Sequence, residues 1–254
     1  MPQEKQSLID IKLRPSPFMS ESTRNGLFEK LPDDSEAFPD TAKKVVTTAA
    51  QSLKRAENLI ERVIDVREKN IEDPTQNELA ARVNTFRFAD RQAMEIATLT
   101  GEAKKAVKEH RDSIEQNVNR PITETASEHK FAAETREYLR NMPKDSDRMK
   151  FINNALENEQ WDDLAVVLGA PHHLSGLTKH MQQVGLQGYK ERRFGKSLKT
   201  LEALDHTYNI LDRAETDAIN QVNSLDGPSV QNAINRRKDA QSAMGDVGIK
   251  SYGG

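Results

Sequence analysis

Cysteine is absent from all 254 residues. That excludes disulfides and thiolate zinc sites, and it fits a reducing cytoplasm or a particle assembled in one. Aromatic residues are scarce, with one Trp, four Tyr and eight Phe, so a thick core is not expected. No run of residues is apolar enough to span a bilayer. The opening MPQEKQSLID is polar and acidic, unlike a secretory signal. Neither sign of charge dominates: 37 basic and 40 acidic residues leave a net charge of −3. The first 40 residues, with five basic and eight acidic side chains, account for the whole excess. The broad basic field of a dedicated nucleic-acid binder is therefore missing. So are any internal repeat of fixed period and any complete catalytic motif.

What fills the chain is helix-period patterning. Apolar residues make up 35% and charged residues 30%, a lean composition that suits long helices. Val46, Ala49, Leu53, Ala56, Ile60 and Val63 recur in steps of three and four, which is a heptad seam. Asp40 is read as the N-cap of this first helix, and Asp73-Pro74 ends it. Thr75 with Glu78 reads as a capping box opening the next helix, with Gly101 marking a bend. Leu201, Leu204, Tyr208, Leu211, Ala218, Val222 and Leu225 form a second seam, broken by the polar Glu215. The fold class expected is all-α: elongated helical hairpins or a bundle with an extended N-terminal arm.

The arm is residues 1–40, which hold five of the ten prolines and no helical period. Alternation puts Ile9, Ile11 and Leu13 on one side of an extended segment, and Phe18 follows as a further anchor. Such an arm suits a partner surface, a neighbour's sheet edge or its own bundle. The organisation expected after it is a long helical hairpin with a third helix over 41–142 and a compact node over 143–194. A C-terminal helical pair over 195–244 and a glycine-rich tail over 245–254 complete the chain. Within the node, Asp145-Ser-Asp is read as a helix cap, and Gly176, Gly185 and Gly188 as weak points in a helix from His172 to Arg193.

Three places invite a chemical reading. His172, His173 and His180 lie within nine residues, which would make a metal-dependent enzyme conceivable. The spacing is poor, because ligands on one helix face want to be four positions apart, with a carboxylate or further His beside them. Gly195-Lys196-Ser197 has the form of the end of a phosphate loop, but the required glycine five residues earlier is Lys190 and no strand precedes it. Lys190, Arg192, Arg193, Lys196 and Lys199, interleaved with Tyr189 and Phe194, are the candidate nucleic-acid contact. A patch for an acidic protein surface fits the same residues. The pair Asp162-Asp163 has no base or nucleophile beside it.

The stretch LAVVLGAPHHLSGL, residues 164–177, resembles a segment of uncharacterised proteins from tailed-phage structural gene modules. The resemblance covers about a twentieth of the chain and implies a virion or virion-assembly component. It brings no catalytic residues. The expectation is a non-enzymatic structural or assembly protein with no cofactor, acting in a virion or in host cytoplasm during assembly. Its partners would be copies of itself or other proteins of a large assembly. The contact residues expected are Ile9, Ile11, Leu13 and Phe18 in the arm, and Leu53, Ile60, Leu201, Leu204, Tyr208 and Leu211 in the seams, because a narrow apolar stripe wants a partner helix.

Overall fold

The computed structural model describes residues 8–32, 39–120, 122 and 131–250. Eight α-helices and no strand occur among the described residues. They are α1 (Glu21–Glu29), α2 (Pro39–Glu72), α3 (Glu78–Val118), α4 (Ala132–Arg140), α5 (Asp145–Glu157), α6 (Trp161–Leu168), α7 (Lys179–Leu225) and α8 (Pro228–Lys250). Two short 3-10 turns, Pro17–Met19 and His172–Ser175, join them. The chain is all-α, as its periodicity implies. It forms two compact units. The first is Met1–Glu29, Lys43–Lys108 and His206–Gly254; the second is Lys30–Ala42 and Glu109–Asp205.

In the first unit the seams pack as their spacing requires. Val46, Ala49, Leu53, Ala56, Ile60 and Val63 of α2 are all buried. So are Ala81, Val83, Ala89, Ile96, Ala103 and Val107 of α3, and Leu211, Ala214, Ala218, Val222 and Leu225 of α7. The alanines let the helices approach closely, which allows a core with few aromatic residues. Helix α3 continues through Gly101 without interruption. The polar break at Glu215 is matched from α3. The buried Thr100 hydroxyl donates to its carboxylate at 2.6 Å, and the Lys104 ammonium lies 2.9 Å from Glu215 and 3.1 Å from Asp212. One such polar contact in an apolar seam fixes the register of two helices.

The α2–α3 turn differs from the expected capping box. Asn77 caps α3, its side-chain oxygen accepting the Ala80 N–H at 2.8 Å. Thr75 turns back to the Asp73 carboxylate, which accepts both its N–H and its hydroxyl. Glu78 accepts the Leu8 N–H instead. The side chain of Asp40 lies outside the described residues. At the other end, Arg82 donates to the terminal carbonyls of Leu225 and Asp226 and so closes α7. Val230 and Ile234 of α8 pack on Val83.

The arm is not extended throughout, and it does not alternate. Residues 8–10 form a turn, and Ser20 caps α1 by accepting the Thr23 N–H. The Arg67 guanidinium donates to the carbonyls of both Leu8 and Ile9, which bends the backbone there. Leu8 and Ile11 are therefore the buried pair, at 1% and 3% exposure, while Ile9 points outward at 67%. Leu13 is half-buried against the same core. Arg24 pairs with Glu57 at 2.7 Å and also donates to the Met19 carbonyl, while Leu27 is fully buried. Residues 8–29 are thus a strap on the first unit's own helices.

Two further boundaries differ from the sequence reading. Helix α7 is one continuous element of 47 residues, so positions 194 and 195, read as the end of the node and the start of the C-terminal pair, fall inside it. Helix α8 continues to Lys250, so the tail expected over 245–254 is helical as far as it is described. The third helix expected near 123–141 is present as α4, and residues 123–130 lie outside the described ones.

Candidate functional site

The second unit is built around α6. Leu164, Ala165, Val166, Val167 and Leu168 are all fully buried, a pattern that requires neighbours on every side. Leu139 of α4, Ile152 and Leu156 of α5, and Leu177, Met181 and Tyr189 around α7 supply them. Each part of the stretch 164–177 has a task in this corner. A Cβ at Gly169 would sit 2.6 Å from the Ala165 carbonyl oxygen. Gly176 has φ +67° and passes so close to α4 that a Cβ would lie 2.9 Å from the Arg140 Cα. The buried Ser175 hydroxyl donates to the Val167 carbonyl, and the Gln182 amide donates to those of Leu168 and Ala170, both at 2.7 Å. These bonds satisfy the carbonyls that the end of α6 leaves open.

Glycines that look like weak points in the sequence are contact points here. A Cβ at Gly185 would lie 2.7 Å from Leu168 Cδ2, and one at Gly188 3.0 Å from Leu156 Cδ1. They let α7 lie against α6 and α5. Asp145 does not cap α5 as expected; it stands in the first turn and accepts from Arg148. Arg148 also donates to the carbonyls of Leu139, Arg140 and Met142, closing the end of α4.

The residues with chemical potential are taken up in this framework or separated. His172 Nδ1 lies 3.1 Å from the Leu177 carbonyl within the turn, and its ring meets that of His173 edge to face at 5.6 Å. His180 is exposed on α7. Among the described residues no three His, Asp or Glu side chains come close enough to hold a metal ion. Asp162 and Asp163 occupy the first turn of α6, where negative charge meets the positive end of the helix. Gly195-Lys196-Ser197 lies deep inside α7, so it opens no helix and offers no free N–H groups to a phosphate.

The basic segment divides in the same way. Lys190, Arg192, Lys196 and Lys199 have exposed positions on α7. Tyr189, however, is buried, and Phe194 packs against the same core. Trp161 meets Tyr189 edge to face at 5.8 Å. The Arg193 guanidinium lies 5.3 Å from the Tyr189 ring and 5.5 Å from that of Phe194, and it donates to the Tyr189 hydroxyl. The aromatic rings that base stacking would need are committed to the fold.

Most of the expected contact residues are covered within the single chain, while Ile9, at 67%, and Tyr208, at 38%, are exposed. Leu53, Ile60, Leu204 and Leu211 are buried and Leu201 is half-buried, so the seams do not stand open to a second copy. Phe18 is half-buried with Arg213 over its ring, and Tyr208 is partly exposed with Lys104 over its ring. Further large apolar side chains face solvent, Met94 of α3 at 66% among them. On α4 and its cap, Phe131 is 63% and Tyr138 62% exposed. The two are seven positions apart, so they share one side of the helix. The ring of Tyr138 meets Phe151 of α5 at 6.2 Å, which extends the strip. The seven-residue spacing is present in the sequence, but the two longer seams outweigh it there. No family model matches this chain, and no curated protein and no solved structure shows a significant similarity to it.

Proposed function

We propose that this chain is a non-enzymatic structural or assembly protein, of the kind that helps build a tailed-phage particle. It would work in several copies or against other proteins of a large assembly, in the virion or in host cytoplasm while it forms. The observation that carries this reading is the aromatic strip of Phe131, Tyr138 and Phe151, two of whose rings are largely in water. Exposed aromatic side chains grouped on one helix side are typical of a protein–protein contact and costly without one. The likeness of residues 164–177 to phage structural-module proteins supports the same reading. In this chain that stretch builds a close-packed, hydrogen-bonded corner, which suits a repeated building block. No described helix is long and apolar enough to cross a membrane.

Sedimentation of the full chain at tens of micromolar tests the reading. The expected result is a mass above that of the monomer, falling towards it in Phe131→Ser/Tyr138→Ser. If the wild type and the double variant sediment alike as oligomers, the strip is not the contact. A wild type that stays monomeric removes self-assembly and leaves only assembly on other proteins. Retention on DNA that weakens with salt would favour the basic face of α7 instead.

A further inference from the structure

The groove beneath the strap fits one ligand already seen in it, residues 8–29 of this same chain. We propose that this segment exchanges between copies, so that the strap of one molecule closes the first unit of its neighbour. The proposal adds a second contact beside the aromatic strip and rests on the assembly reading.

Leu8 and Ile11 fill a groove walled by Val63 of α2, Ala81 and Ala89 of α3, and Val222 and Leu225 of α7. Four helix side chains pin the strap. Arg67 donates to the Leu8 and Ile9 carbonyls at 2.8 and 2.9 Å, and Glu78 accepts the Leu8 N–H at 3.3 Å. Gln221 accepts the Arg14 N–H and Asp217 accepts the Ser16 hydroxyl, both at 2.8 Å. Further along, Arg24 reaches Glu57 and Leu27 is fully buried. Every one of these partners lies on a helix that the strap does not belong to. The same bonds and the same burial result whichever molecule supplies the strap.

Exchange therefore costs the freedom lost on association, and any new apolar burial between the two copies offsets it. Ile9 offers such burial, since it is the strap's large apolar side chain left in water. Nine residues join Glu29 to Pro39, a length that spans up to ~30 Å when extended.

The absence of cysteine makes the test clean. Ser16 and Asp217 touch, so a Ser16→Cys/Asp217→Cys chain treated with a short dimaleimide should close within itself when the strap lies on its own helices. Arg14→Cys/Gln221→Cys is a second pair for the same measurement. A tagged Ser16→Cys chain and an untagged Asp217→Cys chain are then partly unfolded together, refolded at high concentration and cross-linked. The expected product joins the two different chains, in excess of either homodimer. Closure within the double variants with no tagged–untagged product in the mixture overturns the exchange. Sedimentation of the same mixture keeps the two ideas apart. Oligomers without that product sink the exchange and leave the assembly reading standing, whereas monomers alone count against self-assembly as well.

Discussion

In the first unit the contact face of α2 is a run of six side chains from Val46 to Val63, each of them buried. In the second unit α7 meets α6 across Gly185 and α5 across Gly188, where nothing larger fits without displacing Leu168 or Leu156. Both units are helical and both exclude water from their centres. One is held by what its residues add, the other by what they leave out. The contrast follows from element length. Helices α2 and α3, of 34 and 41 residues, can repeat one spacing over many turns. Helix α6 has only eight residues and its last five are all buried, so its neighbours must come close on every side of that stretch. Its C-terminal end then needs Ser175 and Gln182 to satisfy its carbonyls.

Substitutions can break this contrast. The largest effect is expected from Leu53→Ala in the first unit. Removing a fully buried leucine costs ~2–5 kcal/mol, depending on how far the seam collapses, read as a lower midpoint in urea. A loss well below that range would mean that the seam is loosely packed. Next come the glycines, where the two units should respond with opposite sign. Gly185→Ala crowds Leu168 and should destabilise by ~1–3 kcal/mol. Gly101→Ala, on a helix of the first unit with open space around it, should stabilise by ~0.5–1 kcal/mol, because alanine loses less backbone freedom. The same sign at both positions would erase the distinction drawn between the units.

A smaller effect concerns pH. The Nε2 of His110 is buried and has no hydrogen-bond partner among the described residues. Burial alone pulls its pKa below the ordinary 6.5, so the fold favours the neutral ring. The unfolded chain then takes up the proton first as pH falls. Stability is full above about 6.5 and declines as pH drops from there towards the folded value. His110→Leu should flatten this part of the profile of melting temperature against pH. An unchanged slope in the variant would assign the acid response to other groups.

The seams at 46–63 and 201–225 are legible because their spacing is local and sustained. What stays hidden depends on residues far along the chain. The arm reads locally as an alternating strand; Arg67, 59 positions from Leu8, turns it and sends Ile9 outward. Thr75 and Asn77 are both credible caps, and Asp73 decides between them by holding Thr75. Gly185 and Gly188 read as weaknesses because a glycine's value lies in its neighbour. Tyr189 and Phe194 read as accessible partners of a basic segment, since nothing local says which side of a 47-residue helix meets Trp161. Of the candidate site, the heptad pair Phe131 and Tyr138 is visible as spacing, but its exposure is not.

The central claim is that the helices of each seam close on one another within one chain, and that contact with other molecules lies at the aromatic strip and the strap. The most direct test is the melting temperature of wild type and Leu53→Ala across a wide range of protein concentration. The predicted result is a variant that melts lower by the same amount at every concentration, because the cavity is internal. A difference that grows as the protein is diluted would place Leu53 between copies, and would contradict the claim.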